Sequence, residues 1–264
     1  MRFVCVIKAV PDPRAGVKPL ADGSGLDPAG LKFVIDPFDE FALELAIQTK
    51  EKRSAAGAQG DAITALAVGG TPATEVLRHA LAMGCDRAVH VPDAAAPSSD
   101  ELALARSAAA AIRAAQPDAA LIFTGKQSID NDAGEFGPAL GECLDLPHLG
   151  AASAFDLSPD GQRFLARRRV PGGEDALDLR LPAVVTVDKG LVEPRRPALA
   201  RLMKAKSLPI EVLSATSLGI TGPAAPPIRL APPPARSACV MLTGEPPDIA
   251  RELVRRLRTE ARAI

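Results

Sequence analysis

Tryptophan and tyrosine are absent from this 264-residue sequence, and aromatic residues make up only 3% of it. Binding nucleic acid by base stacking needs more rings than that. The core must be aliphatic, built from Ala, Leu, Val and Ile. An excess of charge of one sign is also lacking: 31 Lys and Arg stand against 32 Asp and Glu, a formal charge of −1. That balance gives no electrostatic footing for a generic nucleic-acid or anionic-membrane binder. No apolar run approaches the roughly 20 residues that span a bilayer. The opening residues, Met1 to Lys8, are too short and too soon charged for a secretory signal, so a cytoplasmic location is expected. Cys5, Cys85, Cys143 and Cys239 lie far apart with no CxxC, which argues for free thiols rather than disulfides or structural zinc. No GxxxxGK(S/T), HExxH or GxSxG occurs, and no GxGxxG follows the first apolar run. His79, His90 and His148 are scattered and read as structural. A hydrolase has no nucleophile–base pair here.

What is present is a rhythm of strands and helices. Residues 3–10 form a continuous apolar run that predicts a buried strand, stopped by Pro11-Asp12-Pro13. Residues 14–34 read as a loop or irregular hairpin. Asp36 then predicts an N-cap, with Pro37 at the first helical position and acids in the first turn. A strand is expected at 62–68, a helix at about 72–83 capped by Thr71, and a strand at 87–91. An Ala-rich helix over 98–115, a strand at 119–124 and a helix from Gly134 or Gly137 complete the series. Such alternation gives right-handed βαβ units: an α/β fold with a doubly wound, mostly parallel, Rossmann-like sheet. After about residue 150 short strands are expected at 163–170, 177–180 and 183–187. The division expected is an α/β domain over 1–190, then a 191–264 segment with a Pro-rich arm over 214–247 and a basic amphipathic terminal helix.

In parallel sheets ligands bind outside the carboxyl ends of strands. Three such ends carry unusual loops: Val10-Pro11-Asp12, Gly69-Gly70-Thr71 and Thr124 to Asp132. The last leads to a helix start whose Gly134 and Gly137 would let backbone N–H groups approach a phosphate. Lys126, Ser128 and Asn131 can add hydrogen bonds. A capped βα loop holding no ligand fits the same spacing.

At these residues the sequence resembles the β-subunit of electron-transfer flavoprotein, over nearly the whole chain. The matching pieces include Val10-Pro11-Asp12, Asp36-Pro37-Phe38-Asp39-Glu40, Ala80 to Arg87, Gly125 to Asp132, Leu181 to Asp188, Glu193-Pro194-Arg195 and Leu202 to Lys206. In this order and spacing they are highly specific. The resemblance implies an adenine-nucleotide-binding α/β subunit that holds a structural AMP and pairs with an α-subunit carrying most of the redox-active FAD. It implies an electron-transport carrier rather than an enzyme, taking electrons from acyl-CoA-type dehydrogenases of fatty acid oxidation and passing them to a quinone oxidoreductase. No nucleic acid and no membrane insertion are implied.

By the same resemblance Val6 and Val68 end strands under the nucleotide, and Asp36, Pro37, Phe38 and Asp39 form a second wall. Gly125, Lys126, Gln127, Ser128, Ile129, Asp130, Asn131, Asp132, Ala133, Gly134, Glu135 and Phe136 wrap phosphate and ribose. Asp36 replaces the family's usual Asn. Phe38 resembles a ring placed near the flavin; a core position on its helix is the other reading. The family often carries Tyr where Pro13 stands, so one flavin contact is missing. The stretch Pro197 to Lys206 resembles the family's recognition loop, in which Leu199 would anchor a dehydrogenase amid Arg195, Arg196, Arg201, Met203 and Lys204. A solvated basic surface helix is the alternative. Arg167-Arg168-Arg169 stand where the family often has an acid. Two other readings stay open: an electron-bifurcating relative with a second FAD in the AMP site, and a stand-alone stress-type nucleotide-binding protein.

Overall fold

The computed structural model describes residues 1–92, 100–220, 229–236 and 238–264. The first strand is shorter than the apolar run: β1 (Arg2–Val6) is followed by a separate strand β2 (Ala9–Pro11), paired antiparallel with β3 (Phe33–Ile35). Ile7 still donates its N–H to Leu66 O in the sheet at 2.8 Å. The N–H of Lys8 is instead captured by the Asp39 carboxylate at 2.7 Å, and the chain leaves the sheet there. Helix α1 (Pro37–Ala55) starts as its sequence dictates: Asp36 Oδ1 accepts the Phe38 N–H at 2.9 Å, and Asp39 and Glu40 occupy the first turn.

Strand β4 (Ala62–Val68), helix α2 (Pro72–Met83) and strand β5 (Arg87–Val91) fall where the pattern puts them. Thr71, however, is no side-chain cap: it has helical backbone angles and makes no capping hydrogen bond. Pro72 has no N–H to cap, and the Ala73 and Thr74 N–H groups go to Gly70 O and Thr71 O. Helix α3 (Glu101–Ala115) is capped by Asp100, whose carboxylate accepts the Ala103 N–H at 2.9 Å. Residues 98 and 99, in the expected start of that helix, lie outside the described residues. Strand β6 (Leu121–Gly125) and helix α4 (Phe136–Leu144) follow.

A long strand, β7 (His148–Leu157), was not legible in its Ala-rich sequence. It is imposed by its neighbours. It pairs parallel with β10 (Ala183–Val187) and antiparallel with β8 (Arg163–Val170), which pairs in turn with β9 (Gly173–Arg180). The sheet order is β11-β5-β4-β1-β6-β10-β7-β8-β9, parallel from β11 to β7. Strand β11 (Glu211–Val212) comes from the segment after residue 190 and seals the edge beside β5. Leu213, Leu218 and Ile220 pack under that edge. The remaining helices are α5 (Leu199–Ala205) and α6 (Pro246–Thr259).

Alternation along β1 divides the core. Phe3 and Cys5 join Leu43, Ile47 and Leu77 under α1 and α2. Val4 and Val6 join Ala105, Ala108, Ile112 and Leu140 under α3 and α4. Each enclosed Leu, Ile, Val or Phe is worth about 1.5–3 kcal/mol. Helices therefore cover both faces, as a doubly wound sheet requires.

Candidate functional site

The chain winds outward from β1 to β4 and β5 with α1 and α2 on one face. It then crosses back over α3 to β6 on the other side of β1. The carboxyl ends of β1 and β6 diverge at this reversal, where an open parallel sheet makes its ligand crevice. The crevice here has about 490 Å³ of space, part of it open to solvent. Its apolar wall is Val6, Val68, Leu104 and Phe136, and its polar wall comes from Lys8, Asp39, Glu101 and the loop Thr124 to Ser128.

Two aspartates at the start of α1 fix this wall. Asp39 is buried, with Oδ2 accepting the Lys8 N–H and Oδ1 the Gly125 N–H, each at 2.7 Å. It joins the ends of β1 and β6 beneath the cleft. Burial pushes its carboxyl well above the usual range and the Asp36 charge adds to this; the two N–H groups and Lys8 pull the other way. Asp36 caps α1 with one oxygen. With the other it accepts the Ile129 N–H at 2.7 Å and lies 3.3 Å from Ser128 Oγ. Burial raises its carboxyl too.

The loop after β6 is braced from within. Asp132 N–H donates to Ser128 O at 2.8 Å, and Ser128 N–H to Ala133 O at 2.9 Å. Ser128 Oγ donates to Asp130 Oδ1 at 2.5 Å and Gln127 Nε2 to Asp132 Oδ1 at 2.6 Å. Across the mouth, Lys8 Nζ donates to Asp130 Oδ1 at 2.9 Å and lies 3.5 Å from Glu101 Oε1. Asn131 Nδ2 donates to the same Glu101 oxygen at 2.9 Å. Lys126 pairs with Asp188 at 3.0 Å and lies 5.6 Å from the Phe38 ring centre.

Of the residues expected from the sequence, Val6, Asp39, Val68, Gly125, Lys126, Gln127, Ser128, Ala133 and Phe136 line the cleft together. Asp36, Pro37, Phe38, Ile129, Asp130, Asn131, Asp132, Gly134 and Glu135 lie outside its lining, in the cap of α1 and the braced loop. Ile7, Lys8 and Thr124 line it without having been assigned a contact, and Glu101 and Leu104 line it without having been singled out. Glu101 and Leu104 sit at the start of the helix after β5, so the carboxyl-edge rule applied to that strand would have found them. Gly137 has a packing role that the sequence does not show. A Cβ there would lie 2.0 Å from Thr186 Cγ2, so this glycine lets α4 close on β10.

A second group of residues lies on and before α5. Leu199 is 74% and Met203 57% exposed, one turn apart. Arg196 and Lys204 are exposed beside them in the chain. Arg195 is held inward: its guanidinium donates to Glu44 at 2.8 and 2.9 Å and to Glu51 at 2.7 and 2.8 Å. Arg201 donates to Met83 O at 3.2 Å. Arg78, from α2, donates to Ala205 O at 2.8 Å and so caps the carboxyl end of α5.

Comparison with known proteins bears on both regions. The electron transfer flavoprotein domain model matches residues 25–218. Electron transfer flavoprotein subunit beta of Bacillus subtilis is 38% identical over 242 residues, 89% of this chain and 90% of that one. The mouse protein of the same name is 36% identical over 266 residues, 99% of this chain and 98% of its own.

The chain belongs to the electron transfer flavoprotein β-subunit family.

A rice relative, 34% identical and covered in full, is named a mitochondrial subunit beta. The fold is the doubly wound α/β sheet that the alternation of strands and helices predicts, and the family makes this an electron-transport flavoprotein chain. Among the described residues no helix is long and apolar enough to cross a membrane.

Proposed function

We propose that this electron transfer flavoprotein β-subunit holds a structural AMP in the β1–β4–β6 cleft and pairs with an α-subunit that carries most of the FAD. The observation that carries this is the preformed crevice at the sheet's reversal, with an apolar wall and a polar rim whose charges are already engaged. Lys8 is tied to Asp130, Lys126 to Asp188, and Asp39 to two backbone N–H groups. Such a site binds and orients: its lysines and Asp39 are already paired, which suits them to holding a ligand rather than to acid–base chemistry. The residues fit an adenine nucleotide: Val6, Val68 and Leu104 can pack on the base, and α4 begins at Phe136, with the free first-turn N–H groups that suit phosphate. FAD supplies the redox chemistry when bound, and this chain would shield it.

The C-terminal arm supports a partner. Helix α6 has no buried residue, and Val240, Met241 and Leu253 are 63%, 79% and 48% exposed. An apolar surface of this kind is covered when a second polypeptide is wrapped. The Leu199–Met203 pair, on a helix held by Arg78 and by Arg201, would present a dehydrogenase-docking knob on a basic surface. Electrons would leave towards a quinone oxidoreductase, and the complex would work in the cytoplasm.

Co-expression with an α-subunit tests the assignment: a yellow heterodimer supports it, and a colourless monomer overturns it. In that heterodimer Leu199→Ala is expected to raise KM for a reduced dehydrogenase about 10-fold or more, leaving bound FAD and AMP unchanged. Unaltered steady-state kinetics would remove Leu199 from the docking site.

A further inference from the structure

We propose that Glu101 is the residue that reads the ribose of the bound nucleotide, requiring a free 2′,3′-diol and rejecting a phosphate there. This rests on the adenine-nucleotide assignment of the cleft and goes on to name the feature of the nucleotide that is selected. Glu101 is the first residue of α3, lines the cleft and is 5% exposed. A carboxylate so enclosed is costly unless its oxygens are satisfied. Lys8 and Asn131 both address Oε1; Oε2 accepts no hydrogen bond from a described residue. Among the described residues, then, one oxygen is anchored and the other has no donor; in the complex a ligand hydroxyl would supply it.

The donor's chemistry follows from position. Leu104 stands three residues further along α3 and also lines the cleft. Residues so spaced lie about 5–6 Å apart on one helix face. That is the step from a base to its sugar. With the base against Leu104, Val6 and Val68, the ribose hydroxyls reach Glu101, and the 5′-phosphate points towards the loop after β6 and the start of α4. The carboxylate accepts from vicinal hydroxyls and repels an anion. Nucleotides phosphorylated on the 2′ or 3′ oxygen, the NADP and coenzyme A types, are thereby excluded.

Equilibrium binding to the nucleotide-free full-length chain tests this, using AMP, 2′-deoxy-AMP, 3′-deoxy-AMP, adenosine 3′,5′-bisphosphate and IMP. The native chain is expected to prefer AMP over each deoxy analogue by about 10- to 100-fold, the span of one hydrogen bond to a charged group. Glu101→Ala is expected to bind all three alike while keeping the native ratio of AMP to IMP. Glu101→Gln, which keeps shape and an acceptor, is expected to relax the rejection of the bisphosphate, and it carries the test if the alanine variant fails to fold. Retention of the full diol preference in Glu101→Ala, or a change confined to the IMP ratio, overturns the proposal. Failure of the native chain to bind any of the five overturns the adenine-nucleotide assignment itself.

Discussion

Gly125→Ala is expected to lose about 3 kcal/mol of stability, and with it the bound nucleotide. A Cβ at this position would lie 2.6 Å from Phe38 Cβ, 2.8 Å from Phe38 C and 2.9 Å from Asp39 N. Two of those atoms are backbone at the start of α1, so no rotamer change relieves the clash. Overpacking a tight interior costs about 1–3 kcal/mol, and more where backbone must move. Here the movement also separates the Gly125 N–H from Asp39 Oδ1, a bond of 2.7 Å. Gly125 is thus an energetic and a functional position: it lets α1 sit against β6 and holds the floor of the cleft. Thermal or denaturant unfolding checks the first effect and nucleotide content of the purified complex the second. Unchanged unfolding would contradict the packing described.

Asp39→Ala is expected to cost about 2–5 kcal/mol at mildly acid pH. It removes both acceptors and strands the N–H groups of Lys8 and Gly125, each worth about 1–3 kcal/mol when left unpaired. The sign of the pH dependence is fixed by burial, which holds the native carboxyl above its unfolded value of about 4. A group with a raised native pKa contributes fully below the unfolded pKa and loses that contribution as pH rises through the native one. The cost of Asp39→Ala should therefore shrink between about pH 4 and the native pKa. A cost that grows with pH would show that the two N–H bonds outweigh burial.

Much of this was legible in the sequence because local rules and the fold agree. Asp36-Pro37 announces a capped helix, and the apolar runs at 62–68, 87–91 and 119–124 announce buried strands, the last observed at Leu121–Gly125. What failed were positions where a distant partner decides. The run from Phe3 to Val10 is apolar apart from Lys8, and it breaks there because a carboxylate 31 residues away takes the Lys8 N–H. Strand β7 has little intrinsic β preference and is held by β10 and β8. In the cleft, the carboxyl-edge rule reaches Glu101, but its burial beside Lys8 and Asn131 depends on contacts that spacing does not reveal. Arg195 reads as one of several surface cations, but Glu44, only 1% exposed, draws it inward.

The most direct measurement is the identity of the nucleotides released when the co-purified heterodimer is denatured. One AMP and one FAD per heterodimer are predicted, the AMP from this chain's cleft. Two flavins with no AMP would place a second redox cofactor there, and FAD alone would leave the cleft without its proposed occupant; either result contradicts a structural adenine nucleotide at the centre of this subunit.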